Sequence, residues 1–274
     1  MDYRRILTVQ DISCLGQCSL TVALPIISAC GVEACVLPSA LLSTHTGGFT
    51  GYTCLDLTDE MRKIIAHFKS LGTRFDAVYT GYLADSKQMD VVRSIMREGL
   101  SNILIVDPVM GDNGKLYPAF DMNFVDEMRA LCSEADIILP NITEASLLTG
   151  AEYKESYDEK YIRELVDGIL KLGVKTVVMT GVSYDKSSTG IAVCSKDGYF
   201  YYPHKRIAKS CHGTGDIYAS TFTGALMRGK SVNEAAVIAA DYTLDCIECT
   251  VDDPSHWYGV KFEKCLGRLA EKLK

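Results

Sequence analysis

No run of about 18 apolar residues, the length a membrane-crossing helix requires, occurs anywhere in the chain. The opening MDYRRILTVQD also lacks the apolar core of a secretion signal, so a cytoplasmic protein is expected. A surplus of positive charge is missing too: 28 basic against 35 acidic residues leave a net charge of −7. That balance argues against a nucleic-acid-binding or anionic-membrane surface, while allowing local basic pockets. Cys246 and Cys249 form a lone CxxC inside a helical run, with no second pair or nearby His to make a zinc site. The eleven cysteines are odd in number and scattered, which reads as reduced thiols rather than a disulfide framework. No GxGxxG follows the first apolar segment, so a nicotinamide-type site has no support. Nor does any repeat, low-complexity stretch or linker divide the 274 residues, and a single domain over 1–274 follows.

What is present is an alternation of short apolar runs and amphipathic stretches. Arg5 to Gln10 reads as a buried strand, Ser19 to Cys30 as an apolar helix interrupted or bent at Pro25, and Val32 to Leu37 as a short strand. Ser43 to Tyr52 is a polar, glycine-rich loop. Thr58 to Leu71 is an amphipathic helix with Thr58 as N-cap and Gly72 as its stop. Asp76 to Gly81 is a strand, and Asp85 with Gln88 makes a capping box for a helix to about Leu100. The strand Ile103 to Asp107 runs into a loop, Pro108 to Pro118. Helix Asn123 to Ala135, strand Asp136 to Leu139, helices Thr143 to Thr149 and Asp158 to Leu172, and strand Lys175 to Thr180 follow. Gly190 to Cys194 and Tyr199 to Tyr202 form an edge hairpin. Three helices close the chain: the one opened by His212 to Asp216, then Asn233 to Thr250 and Lys261 to Leu273. Repeated strand–helix units predict an α/β fold, doubly wound, with a mainly parallel sheet covered by helices on both faces.

The segment His212-Gly213-Thr214-Gly215-Asp216 carries the most chemistry. Two glycines at a helix start allow close ligand approach, and the unpaired N–H groups with the helix dipole favour an anion such as phosphate. Asp216 beside that cradle repels an anion unless it removes a proton from an attacking hydroxyl; otherwise it merely complements the dipole. In open α/β sheets, ligands bind beyond the carboxyl ends of the strands. Polar residues gather there: Asp11, Ser13, Ser43 to Thr46, Tyr82, Asp107, Asp112, Asn141, Glu144 and Thr180. Any one could be a turn former or helix cap. Asp107, Asp112 and Glu144 together could hold Mg²⁺, directly or through water. Gly224 to Ser231 (GALMRGKS) matches a phosphate-binding P-loop letter for letter. Its Ala-Leu-Met-Arg interior continues a helix already begun and Gly229 ends it, so the match is a coincidence.

The chain resembles the ribokinase superfamily and, within it, the pyridoxal kinase group. The resemblance spans nearly the whole length, on VQD near the first strand end, LSTHTGG (Leu42 to Gly48), TGYL (Thr80 to Leu83), DPVMGDNGKLY (Asp107 to Tyr117), LPNITEASLLTG (Leu139 to Gly150), VVMTG (Val177 to Gly181) and HGTGD. It implies a ribokinase-like fold and an ATP-dependent kinase acting on the 5′-hydroxymethyl of pyridoxal, pyridoxine or pyridoxamine. Asp216 would be the base, with Gly213, Thr214 and Gly215 as the anion hole. Asp112 and Glu144 would organise Mg²⁺, supported by Asp107 and Asn141. Thr180 would touch a nucleotide phosphate, and lid residues through Tyr117 would close over ATP. Asp11, Ser13, His45, Thr46 and Tyr82 would line the substrate ring pocket. The resemblance further implies a homodimer and leaves room for a monovalent cation such as K⁺.

Three features depart from that group. Asp11 stands where it usually has Ser, and a carboxylate facing the ring would favour the amine of pyridoxamine. The loop Gly47 to Gly51 is short and lacks the usual pair of larger aromatics. Cys211-His212 before GTGD resembles hydroxymethylpyrimidine kinases, whose motif continues with Cys where Asp216 stands. Alternatives are therefore a hydroxymethylpyrimidine (phosphate) kinase of thiamine biosynthesis, or a catalytically silent B6-binding sensor of the same fold.

Overall fold

The first strand sets the frame. β1 (Arg5–Leu15) sends Ile6 into one apolar layer and Leu7 into the other, as a strand covered on both faces must. The computed structural model describes residues 3–208 and 211–274. After α1 (Leu20–Ala29), the chain returns as β2 (Glu33–Thr44), parallel to β1, and turns into the short antiparallel β3 (Cys54–Asp56). α2 (Thr58–Ser70), β4 (Ala77–Thr80), α3 (Ser86–Arg97) and β5 (Leu104–Val106) follow. A small hairpin of β6 (Gly111–Asp112) and β7 (Lys115–Leu116) precedes α4 (Met122–Ser133), β8 (Ile137–Ile138), α5 (Ile142–Thr149), α6 (Glu159–Leu170) and β9 (Thr176–Val182). The antiparallel pair β10 (Ser188–Ser195) and β11 (Gly198–Lys205) leads to α7 (Thr214–Met227), α8 (Val232–Glu248) and α9 (Leu266–Lys272). None of these helices is long and apolar enough to cross a membrane.

The strands form one nine-stranded sheet in the order β11-β10-β9-β8-β5-β4-β1-β2-β3. Pairings from β2 through β9 are parallel, and antiparallel strands occupy both edges. Residues of α2 to α6, such as Met61, Met89, Val125, Ala145 and Ile162, bury one face. Those of α1, α7, α8 and α9, such as Ile26, Phe222, Ala239 and Leu269, bury the other. From β1 the chain first steps to β2 on one side and later to β4 on the opposite side. That reversal opens a crevice at the carboxyl ends of β1 and β4.

Several boundaries differ from the sequence expectations, each for a local reason. β1 and β2 run five and seven residues further because they stay paired past a register irregularity between Gln10 and Ile12. Asp11 and Ser13 therefore lie within a strand, not after one. α1 continues through Pro25 as a single helix. The N-cap of α2 is Leu57, and the Asp56 carboxylate accepts from the Thr58 N–H and hydroxyl. Asp85 caps α3 by accepting from the Gln88 N–H, but the Gln88 side chain accepts from Ala84 and donates to Ser39, so no capping box closes. Within the expected loop Pro108 to Pro118, Asn113 and Gly114, both at positive φ, make the tight turn between β6 and β7. The final helix starts as a 3-10 turn at Phe262–Cys265. Gly224 to Ser231 spans the end of α7, a reversal at Gly229 and the N-cap of α8, which is not a P-loop setting.

Candidate active site

Gly213 is where the fold needs glycine most. It caps α7 at φ 78, and an added Cβ would overlap the Gln17 carbonyl of the loop before α1. No side chain caps the first turn of α7, which leaves its N–H groups available to an anion. A Cβ at the exposed Gly215 would meet no atom, so open space lies in front of the turn. The Thr214 hydroxyl donates to the Cys211 carbonyl and ties the turn to the preceding loop.

Asp216, one residue further, is partly buried. Burial pushes its carboxyl up to about 7, the backbone N–H of Ser19 favours the ionised form and opposes that rise, and the nearby Asp11 adds to it. A carboxylate poised near neutrality suits removal of a proton from an alcohol.

Asp11 is only 5% exposed, and both oxygens are engaged: Ser13 Oγ donates to Oδ2 at 3.0 Å and Ser19 Oγ to Oδ1 at 2.5 Å. Asp11 thus faces protein hydroxyls rather than presenting the free carboxylate expected for a substrate amine, and Ser13 points its hydroxyl at Asp11. The Tyr82 ring stands 5.6 Å from Phe120 with its hydroxyl pushed up to about 12 by burial and then by Asp11, which places it within electrostatic reach of the same group. Ser19, which no sequence motif singles out, holds Asp11 through its hydroxyl, and its backbone N–H favours the ionised form of Asp216.

His45 is buried with both ring nitrogens committed. Nδ1 accepts from the Gly47 N–H at 3.0 Å, which leaves Nε2 to donate to the Tyr258 carbonyl at 2.7 Å. Its ring, not its nitrogens, is what remains for a ligand. Thr46 beside it is exposed. The His212 ring lies 5.3 Å from that of His45, and burial with this neighbour lowers its pKa. Phe49 packs on His45 at 4.9 Å and on Trp257 at 4.6 Å. The segment around Trp257 thus supplies the aromatic surface that the short Gly47 to Gly51 loop lacks. It also grips the loop before α1: Gln17 bonds Glu263 at 2.7 and 2.9 Å and His256 at 2.7 Å. No periodic or motif signal in this segment points to the crevice.

On the other side of the crevice, Asn141 and Glu144 form the capping box of α5. Asn141 Nδ2 also donates to the Gly111 carbonyl, and Glu144 Oε1 accepts from the Met110 N–H at 3.2 Å, so the box anchors the β6–β7 hairpin. Burial raises Glu144 to about 8, and Asp112 adds to the rise. Burial, Glu144 and Asp216 together drive the buried Asp107 well above the ordinary carboxylate range. Asp112 is exposed at the hairpin and accepts from Asn113. Tyr117 lies beside these acids, its hydroxyl pushed up by burial and then by Glu144 and Asp112. Thr180 sits inside β9, its N–H bonded to the Pro140 carbonyl at 2.9 Å next to Asn141.

Among the described residues, no three His, Cys, Asp or Glu side chains are placed to ligate one ion. The acids nevertheless fit Mg²⁺ held largely through water. Asp107 and Glu144 oppose each other's ionisation, and a hard cation between oxygen donors is the counter-charge that lets both ionise. Asp112 belongs at the rim of such a site. These are the same three acids that the sequence groups for a cation, Asp107 among them.

Residues 23–259 match the family model described as phosphomethylpyrimidine kinase. The hydroxymethylpyrimidine/phosphomethylpyrimidine kinase of Bacillus subtilis (strain 168) is 28% identical over 216 residues, covering 78% of this chain and 78% of the relative. The crystal structure of pyridoxal kinase from Lactobacillus plantarum superposes with a TM-score of 0.91 at 30% identity, covering 98% of each chain. A Bacteroides thetaiotaomicron VPI-5482 protein, provisionally designated a phosphomethylpyrimidine kinase and crystallised with pyridoxal, gives a TM-score of 0.91 at 36% identity. That match covers 98% of this chain and 96% of the other.

Proposed function

The chain belongs to the phosphomethylpyrimidine kinase family, and on that footing we propose an ATP-dependent kinase that phosphorylates the 5′-hydroxymethyl group of pyridoxal, pyridoxine or pyridoxamine. The observation that carries this reading is Asp216, a carboxyl poised near neutrality at the head of an uncapped, glycine-lined helix start. The similarity to a pyridoxal kinase over 98% of both chains supports the ring class.

The geometry suggests the following division of work. Asp216 takes the proton of the acceptor hydroxyl as its oxygen attacks the γ-phosphorus of ATP. The bond from that phosphorus to the β–γ bridging oxygen breaks, and ADP leaves with the electron pair. Amides of Gly213, Thr214 and Gly215 stabilise the charge on the transferring group, and positioning with charge stabilisation supplies most of the rate. Mg²⁺, when bound near Asp107, Glu144 and Asp112, would neutralise phosphate charge. The β6–β7 hairpin and Tyr117 exclude water from one side, and the Phe49–Trp257 surface covers the ring side.

A second acceptor, hydroxymethylpyrimidine, is favoured by the B. subtilis relative, whose name carries that activity. The discriminating experiment follows ADP release with ATP and each of pyridoxal, pyridoxine, pyridoxamine and hydroxymethylpyrimidine. Preferred turnover of a B6 vitamer is expected. Preferred turnover of hydroxymethylpyrimidine would move the substrate to the thiamine precursor, and binding without ADP release would make the protein a sensor.

A further inference from the structure

Ser19 is one of two non-glycine residues at positive φ among those described, at φ 56 and ψ −133. Such a conformation is strained for a residue with a side chain and persists where the surroundings impose it. Ser19 is also the N-cap of α1, a position where a Ser hydroxyl normally accepts from the helix's own first N–H groups. Here the hydroxyl makes no cap bond. It turns instead to Asp11 Oδ1 at 2.5 Å, and the antiparallel bridge between Ile12 and Ser19 holds the two segments together. The segment leading into Ser19 lies against the head of α7, where a Cβ at Gly213 would meet the Gln17 carbonyl and Cys18 Sγ, and the backbone N–H of Ser19 favours the ionised form of Asp216. Ser19 and Asp11 are each 5% exposed, and Ser13 fixes the second oxygen of Asp11.

We propose that Asp11 and Ser19 are a positioning pair for the base: Asp11 holds the Ser19 hydroxyl, which locks Ser19 in its left-handed conformation and aims its N–H at the Asp216 carboxylate. The inference rests on the reading of Asp216 as the base. It accounts for a buried carboxylate beside a second one without giving Asp11 any contact with substrate. Other groups also face this pair. Cys18 lies within electrostatic reach of both Asp11 and Asp216, Tyr79 approaches Asp216 from β4, Asp107 from the end of β5 and Tyr117 from the hairpin, while His45, Tyr82 and Cys54 face Asp11. These are acids, phenols and a thiol on the Asp216 side, so the Ser19 N–H is the contact there that favours the ionised base.

Asp11→Asn, Asp11→Ala and Ser19→Gly separate the possibilities. The Asn variant keeps an acceptor for the Ser19 hydroxyl and removes a negative charge. Its kcat at pH 8 should stay within about threefold of wild type, while the acidic limb of the pH profile moves to lower pH. The Ala variant frees Ser19, so kcat should fall about tenfold, the loss of one hydrogen bond to a charged group, and the limb should move to higher pH. Glycine at 19 adopts the same dihedrals without the hydroxyl, and it should reproduce the Ala effect with little change in KM for the acceptor. A ¹³C titration of the Asp216 carboxyl in the ligand-free protein should show the same opposed shifts, on the order of one pH unit. That measurement needs no turnover, so it reads the pair even if no B6 vitamer is a substrate. Raised KM for the acceptor with unmoved kcat and titration would return Asp11 to the substrate pocket. An unmoved titration in all three variants would equally overturn the positioning pair.

Discussion

Replacing Gly213 by Ala tests whether the head of α7 is held by backbone geometry. The residue sits at φ 78 and ψ 2, and a non-glycine residue there costs about 1–2 kcal/mol. The new Cβ would lie 1.9 Å from the Gln17 carbonyl oxygen, whereas ordinary contact begins near 3.4 Å. One of the two backbones must therefore give way. Gln17 is the firmer side, pinned by Glu263, His256 and the Tyr258 carbonyl. The displacement falls on the first turn of α7, where about 1 Å of misplacement is worth about 10² in rate. The expected result is a kcat lower by about 10²-fold in an ADP-release assay. Thermal unfolding should drop by ~2–8 °C, from about 2–4 °C per kcal/mol in a chain of this size. Gly215→Ala is the control, because its Cβ meets no protein atom and should leave unfolding unchanged or slightly raised. Wild-type kcat and stability in Gly213→Ala would refute the argument that this glycine sets the anion hole.

The false P-loop gives a sharp negative expectation: Lys230→Ala should leave kcat and ATP affinity within about twofold, since the residue lies between α7 and α8 away from the crevice, and a large loss would relocate the nucleotide. Asp216→Asn should stabilise the protein at alkaline pH. The carboxyl is raised from 3.8 to about 7, so its stabilising contribution is complete below about 3.8 and lost as pH rises through 7. Urea unfolding should show the variant ahead of wild type by on the order of 1–4 kcal/mol at pH 8 and nearly equal at pH 4, and a gap that does not grow with pH would contradict this. Trp257, the sole tryptophan, packs on Phe49 with the two rings tilted by 46° and is 46% exposed. Its fluorescence should respond to pyridoxal, and Trp257→Ala should raise KM about 3–10-fold with kcat little changed, the worth of one aromatic contact.

Much of this arrangement was legible in the sequence because it depends on local chemistry. The alternation of apolar runs and amphipathic helices gave the doubly wound sheet, and HGTGD gave the cradle, since glycines at a helix start have few other uses. Asn141 and Glu144 were visible as a pair, and the Asn-x-x-Glu spacing is itself a capping signature that explains their contacts. The less legible parts depend on long-range contacts. β2 extends past Leu37 only because β1 and β3 flank it, and the short β3 has no pattern of its own. Ser19 looks like an ordinary N-cap until its hydroxyl is seen turned away from the helix. The grip of Gln17, His256 and Glu263 joins residues about 240 positions apart. No spacing rule reaches that far.

Turnover of Asp216→Asn tests the central claim most directly. ATP and pyridoxal at pH 8 should give a kcat lower than wild type by about 10²–10⁴-fold, with ATP affinity nearly intact, because the substitution removes the general base and keeps the cradle. Near-normal turnover would contradict the account and leave Asp216 as a charge that only complements the helix end.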